Sequence, residues 1–167
     1  MPISSRTNGQ TIDETWFNIL KTEIEALQAS RLLLVTGLSI PFEVMGNYSK
    51  QLNLDAVMYY LVTQDITITA ATLKIITAGS SGALDVDIKR KRGGGSWVSL
   101  FTTRPAVPYT AGSFADSDSG AGATAAVVDS VTETVLAGDL LRLDILSVQT
   151  NGIGFNVSLE YEPTGVV

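Results

Sequence analysis

Two residue types are missing altogether: the 167-residue chain contains no histidine and no cysteine. Without cysteine there is neither a disulfide framework nor a thiolate metal site, which excludes a small disulfide-stapled secreted scaffold. Without either residue, nucleophilic catalysis by a Ser-His or Cys-His pair is excluded as well. Charge is scarce: 17% of residues are charged against 45% hydrophobic. A core can therefore be buried while the polar surface leans on Ser, Thr, Asn and Gln, a balance that suits a β-sandwich. The formal net charge of -6 repels phosphate backbones, and the single basic run, Lys89-Arg90-Lys91-Arg92, is too short to reverse that field, so nucleic-acid binding is not expected. Long apolar runs are also lacking. Ala56 to Val62 is the longest, far short of the roughly 18 to 20 residues that span a bilayer. The opening Met1-Pro2-Ile3-Ser4-Ser5-Arg6 lacks the apolar stretch of a signal peptide. The expectation is no membrane insertion and synthesis in a cytoplasm without cleavable export information. The length fits one domain plus an appendage.

What is present falls into two parts. Thr11-Ile12-Asp13-Glu14 has the spacing of a capping box, in which the Thr11 hydroxyl accepts from the third helical N–H and Glu14 reaches back. Asp13 and Glu14 also sit at the positive end of the helix dipole. Beyond them Phe17, Leu20, Ile24 and Leu27 recur at spacings of three, four and three, with Lys21, Glu23 and Glu25 between, so the pattern predicts an amphipathic helix to about Ala29. Four side chains buried at about 1.5 to 3 kcal/mol each do not offset a backbone ordering cost of roughly 1 to 2 kcal/mol per residue over such a helix. It needs a partner. The stripe covers about two heptads, so a coiled coil with other copies and docking on the chain's own body both remain open. The expected division is 1–30 as an N-terminal arm and oligomerisation or attachment helix, and 31–167 as a β-domain.

From Arg31 the period becomes two. Leu32 to Val35 reads as a short strand, and Ala56 to Val62, a continuous apolar run, reads as a central one. Ile66 and Ile68 alternate with threonines, Leu73 and Ile75 flank Lys74, and Leu84, Val86 and Ile88 alternate with Asp85, Asp87 and Lys89. Trp97 to Phe101 adds another strand. Leu141, Leu143 and Ile145 alternate with Arg142 and Asp144, and Phe155, Val157, Leu159 and Tyr161 alternate with polar residues. Asn151-Gly152 between these last two runs predicts a hairpin. Ala111 to Ala123 has no hydrophobic period and reads as a long surface loop between sheets. About eight strands at turn spacings near ten residues predict a mainly β chain, a jelly-roll-like antiparallel β-sandwich preceded by one N-terminal α-helix.

Four constellations carry candidate chemistry. Asp85 and Asp87 share a strand face and could flank a glycosidic bond in a carboxylate-dependent glycosidase; their alternation with Leu84, Val86 and Ile88 turns that face to water, which favours a plain solvated edge. Asp116-Ser117-Asp118-Ser119-Gly120 has part of a calcium loop but lacks the further ligand before the glycine and the closing Glu, so no metal and no cofactor are expected. The basic run from Lys89 to Arg92 ends a strand before Gly93-Gly94-Gly95 and is accounted for by a solvated hairpin tip. Trp97, Phe101, Tyr109 and Phe114 surround a turn-rich region, and Trp97, Tyr109 and Phe114 are the candidate glycan-facing aromatics, with core plugging as the plainer reading.

Arg6-Thr7-Asn8-Gly9 followed by Ile12-Asp13-Glu14-Thr15-Trp16-Phe17-Asn18 resembles the opening of tail-fibre-like virion proteins of bacteriophages. The β-part is similar to the jelly-roll body of fibre and head-decoration proteins in its glycine-flanked strand from Gly79 to Ile88. Ser99-Leu100-Phe101 ahead of Pro105, and Gly138-Asp139 leading into Leu143, add to the likeness. The resemblance implies a non-enzymatic virion structural protein, assembled in the host cytoplasm as a homotrimer. Phe17, Leu20, Ile24 and Leu27 would form the oligomer interface, and other virion proteins of head or tail would be partners. No shaft repeat or second receptor-binding domain accompanies it, so a short tail-fibre or appendage is implied, with a capsid decoration protein as the alternative. A carbohydrate-binding module contacting host surface glycans is a second reading.

Overall fold

The computed structural model describes Asn18, Ile19, Lys21, Thr22 and residues 38–44 and 58–164. Two compact units divide the chain, Met1–Thr36 and Gly37–Val167, where the sequence pattern places the change at residue 30. In the first unit the four described residues have helical backbone, and the Thr22 hydroxyl donates to the Asn18 carbonyl one turn back at 2.9 Å. Four residues do not make an element, and no coiled coil is seen among the described residues. The expected capping box, the stripe of Phe17, Leu20, Ile24 and Leu27, and the short strand Leu32 to Val35 lie outside the described residues.

The second unit is antiparallel β-structure: β1 (Leu38–Val44), β2 (Met58–Leu61), β3 (Ile66–Thr77), β4 (Ala83–Lys91), β5 (Val98–Ser99), β6 (Phe101–Thr103), β7 (Ala106–Pro108), β8 (Val127–Val128), β9 (Thr134–Val135), β10 (Leu140–Ser147) and β11 (Ile153–Pro163). One sheet has the order β1-β11-β3-β9, a second has the order β2-β10-β4-β5 with β7 also on β4, and β6 pairs with β8. Inward residues of the two larger sheets feed one apolar cluster. Ile40, Phe42, Ile68, Leu73, Ile75, Phe155, Val157 and Leu159 come from the first sheet, and Leu84, Val86, Ile88, Leu141, Leu143 and Ile145 from the second. At about 1.5 to 3 kcal/mol per buried aliphatic or aromatic side chain, this cluster is the main stabilising term of the unit.

The apolar pattern along β3 changes phase, and the backbone absorbs the change. Ile66 and Ile68 are buried, then Ala71, Leu73 and Ile75, an odd step that a regular strand would turn outward. The register against β11 shifts here, with Ala70 opposite Glu160 and Ile68 opposite Tyr161. Thr69 is thus the extra residue of a β-bulge, and both halves of β3 keep their apolar side chains on the core. Leu146 plays the same part in β10, between Ile145 opposite Val86 and Ser147 opposite Asp85.

Three expectations are corrected. The run expected to be a central strand contains β2, which is an edge strand with Tyr59, Tyr60 and Leu61 exposed; its apolar side chains do not all go to the core. Asn151-Gly152 does form a turn, in which the Gly152 N–H donates to the Gln149 carbonyl, but it joins strands of different sheets and is not a hairpin. Only Asn151 of the pair has positive φ, at 61°, which fits the third position of a type II turn and not the two left-handed residues of a hairpin turn. The segment 111–123 is irregular, as expected, yet it lies along β3. Ile75 N–H donates to the Ala115 carbonyl, Ser117 N–H to Leu73, and Phe114 N–H to Ile76. This segment covers the edge of β3 from Leu73 to Ile76, beyond the two-residue β9.

Candidate functional site

The outer face of the sheet β2-β10-β4-β5 gathers the densest set of polar and aromatic side chains. Register builds it: Tyr59 lies opposite Arg142, Arg142 opposite Lys89, and Asp144 opposite Asp87, while Lys89 lies opposite Ser99. With the inward residues of β4 and β10 committed to the core, these intervening ones point the other way. Trp97 stands just before β5. The Arg142 guanidinium stacks over its ring at 4.5 Å from the centroid, Lys91 Nζ lies at 5.8 Å, and the Tyr59 ring at 5.9 Å, tilted by 52°.

Beneath this aromatic layer the charges are paired. Asp144 is 0% exposed and Asp87 2% exposed. Lys89 Nζ reaches Asp144 Oδ2 at 2.8 Å, and Arg142 Nη2 donates to the same oxygen at 2.8 Å. Arg142 Nε lies 2.8 Å from Oδ1, but its N–H makes no aligned hydrogen bond, so the directed contact is the one through Nη2. Burial works against the Arg142 charge, yet Asp144 and the Tyr59 hydroxyl hold its pKa above the ordinary value. Asp87 takes a hydrogen bond from the Ser99 hydroxyl at 2.7 Å. Burial pushes its carboxyl up from the ordinary value of 3.8, Ser99, Lys89 and Arg104 pull it back in part, and the Asp144 charge adds to the rise. Asp85 is raised by burial too, against the pull of Arg104, whose Nε is 3.8 Å away. The expectation that Asp85 and Asp87 line a face open to water is therefore wrong for Asp87. The pair is also unsuited to flank a glycosidic bond, since Asp87 sits under Ser99 and beside a second carboxylate.

The basic run is not a solvated tip either. Lys89 pairs with Asp144, Arg90 Nη1 donates to the carbonyls of Thr132 and Thr134, and Arg92 forks onto Asp139. There Nε lies 3.1 Å from both carboxylate oxygens and Nη2 lies 2.9 Å from Oδ2. Asp139 also accepts from the Leu136 N–H at 3.0 Å. Burial opposes its ionisation, but these donors hold its carboxyl below 3.8. A hairpin end is thereby stapled to the turn before β10.

The expected aromatic platform does not assemble. Tyr109, 41% exposed, lies on a single 3-10 turn, Tyr109–Ala111, and its N–H donates to the Gly82 carbonyl at the start of β4. Trp97 lies at the far end of β4, beside Lys91, roughly 26 Å away at about 3.3 Å per residue. Phe114, 68% exposed with φ of 62°, belongs to the Tyr109 end through its bond to Ile76. Phe101 is buried. The chain matches no protein-family model and no curated protein sequence.

The Asp116 turn is built for itself. Asp116 Oδ1 accepts from the N–H of Asp118 at 3.1 Å and from the N–H and hydroxyl of Ser119 at 2.7 and 2.8 Å, and the Ser119 bonds hold its carboxyl below 3.8. The Thr72 hydroxyl donates to Asp118 at 2.6 Å. These carboxylates fasten the loop to β3, and among the described residues no three His, Cys, Asp or Glu side chains converge as a metal site. Tyr59, Arg142, Asp144 and Ser99 were not singled out by sequence reasoning. The signal for Arg142 and Asp144 is their place inside the apolar alternation of β10; their cross-strand partners have no sequence signature.

Proposed function

We propose that this chain is a non-enzymatic structural protein of a bacteriophage virion, a short tail-fibre or appendage-type homotrimer joined through its N-terminal segment, with a jelly-roll sandwich as its displayed body. The nested strand pairing carries the reading: β1 with β11, β2 with β10, β3 with β9 and β4 with β5. That is the order obtained by folding one long antiparallel ribbon and wrapping it, with β11 then lying on β3 and β10 on β4, as in a two-sheet jelly roll. Among the uses of that architecture, viral capsid and lectin domains are the two relevant here. The polar face favours the first, because its cations and carboxylates satisfy one another and the Trp97 ring is stacked on a guanidinium. A helix bearing Phe17, Leu20, Ile24 and Leu27 would supply the contact between copies, with other virion proteins at its end.

Light scattering on the full chain tests this, with a trimer mass expected. Leu20→Asp combined with Ile24→Asp is expected to reduce it to the monomer while leaving the melting of the β-body unchanged. A monomeric wild-type chain, or a trimer indifferent to both substitutions, would overturn the reading. Capsid decoration is the alternative within the same class, and binding to purified heads instead of tails separates the two. The exposed Tyr59 beside Trp97 favours host-glycan binding as a second reading. A glycan array silent for the wild-type chain would dismiss it.

A further inference from the structure

We propose that Asp87, seated under the Ser99 hydroxyl and directly across from the ion-paired Asp144 carboxylate, is a proton-uptake site whose protonation tightens the corner between β4, β5 and β6. The proposal is independent of how copies assemble. Two carboxylates placed opposite each other on adjacent strands and withdrawn from water cannot both be cheaply ionised. The two are unequally provided for. Asp144 has Lys89 and Arg142 within 2.8 Å, whereas Asp87 has one neutral hydroxyl donor and no ion pair among the described residues.

Charged groups come near Asp87 from several elements. β4 itself brings Asp85 and Lys89, with Lys89 drawn to Asp144. β10 brings Asp144 and Arg142, the latter also turned to Asp144. The segment after β6 brings Arg104, which faces Asp85 at 3.8 Å. β5 brings only Ser99, and β7, Ala106–Pro108, brings no ionisable group. The nearby cations pair with Asp144 and Asp85 and pull the Asp87 carboxyl back only in part, and the rise already described agrees with this geometry.

The hydroxyl of Ser99 gives the proton a consequence. With Asp87 ionised, Ser99 Oγ accepts from the Phe101 N–H at 3.0 Å and its proton is shared between Asp87 at 2.7 Å and the Phe101 carbonyl at 3.1 Å. When Asp87 takes a proton from solvent, its new O–H donates to Ser99 Oγ, and the serine proton turns wholly to the Phe101 carbonyl. One donor and two acceptor sites on the hydroxyl are then all used. The Ser99–Phe101 link closes, and a buried charge is removed.

The test is a carbon-detected NMR titration of side-chain carboxyl groups in the full chain, read together with amide exchange of Phe101. Asp87 is expected to titrate above the ordinary value of 3.8, and Phe101 protection, corrected for intrinsic exchange, is expected to rise as pH falls through the Asp87 midpoint. Arg104→Ala, at a half-exposed site, is expected to move the Asp87 midpoint further up by removing a nearby positive charge. An Asp87 midpoint at or below 3.8 would overturn the proposal, and so would Phe101 protection that stays flat through the Asp87 titration.

Discussion

Among single residues, Asp139 and Asp87 respond to acid in opposite ways. Asp139 has a depressed pKa, so its contribution is fully present above the unfolded value and is lost as pH falls through the folded one. Asp139→Asn is therefore expected to cost roughly 1.5 to 3 kcal/mol near neutrality, as for a hydrogen bond to a charged group. Denaturant titrations at several pH values should show that cost shrinking toward the acid limb. Asp87 has a raised pKa, so its ionisation destabilises the fold as pH rises from the unfolded value through the folded one. Asp87→Asn should accordingly melt higher than wild type near neutrality, with the gap closing in acid. Gln149 is fully buried; its Oε1 accepts from Gly79 N–H at 2.7 Å and its Nε2 donates to the Val107 carbonyl at 2.9 Å. Gln149→Leu strands both partners and is expected to cost about 1 to 3 kcal/mol per unsatisfied group, measured as a lower denaturant midpoint at unchanged slope. Which carboxylate responds in which way was not legible in the sequence. Asp85, Asp87, Asp139 and Asp144 look alike as polar positions in or beside strands, and only register decides that Arg92 reaches one and a second carboxylate faces another.

Among elements, the strands with clean alternation were legible, because a period of two with one apolar face has one economical solution. β4, β10 and β11 carry their apolar residues on the core as expected. Short apolar runs were not, since periodicity cannot tell a buried central strand from an exposed edge; β2 is the case in point. A turn was read correctly at Asn151-Gly152, though not its type, and a left-handed residue states that the chain reverses, not which sheet it enters. The bulge at Thr69 was visible only as a phase slip between Ile68 and Leu73. Deleting Thr69 should leave Ile66, Ile68, Ala71, Leu73 and Ile75 in strict alternation opposite an unbulged β11, so cooperative melting followed by circular dichroism is expected to survive the deletion. Gly79 offers a second test: a Cβ there would meet the Thr150 carbonyl oxygen and come within 2.8 Å of Gln149 Cβ. Gly79→Ala is expected to destabilise by about 1 to 3 kcal/mol, the usual range for overpacking.

For the whole molecule, the mainly β architecture followed from composition and spacing, while strand order came only with coordinates. The N-terminal stripe lies in the first unit, and the proposal that it joins copies is tested by the mass of the chain in solution. In the body, every long strand finds its neighbour far away along the chain, with Leu38 opposite Tyr161 and Ile66 opposite Pro163. Such pairing predicts slow folding from the high cost of closing large loops. It also sets a schedule for biosynthesis. The strand inserted between β1 and β3 is the last of those described to leave the ribosome, so a nascent chain halted before Ile153 leaves β1 and β3 without the strand that joins them, and a chaperone or a protease meets it before the native state does.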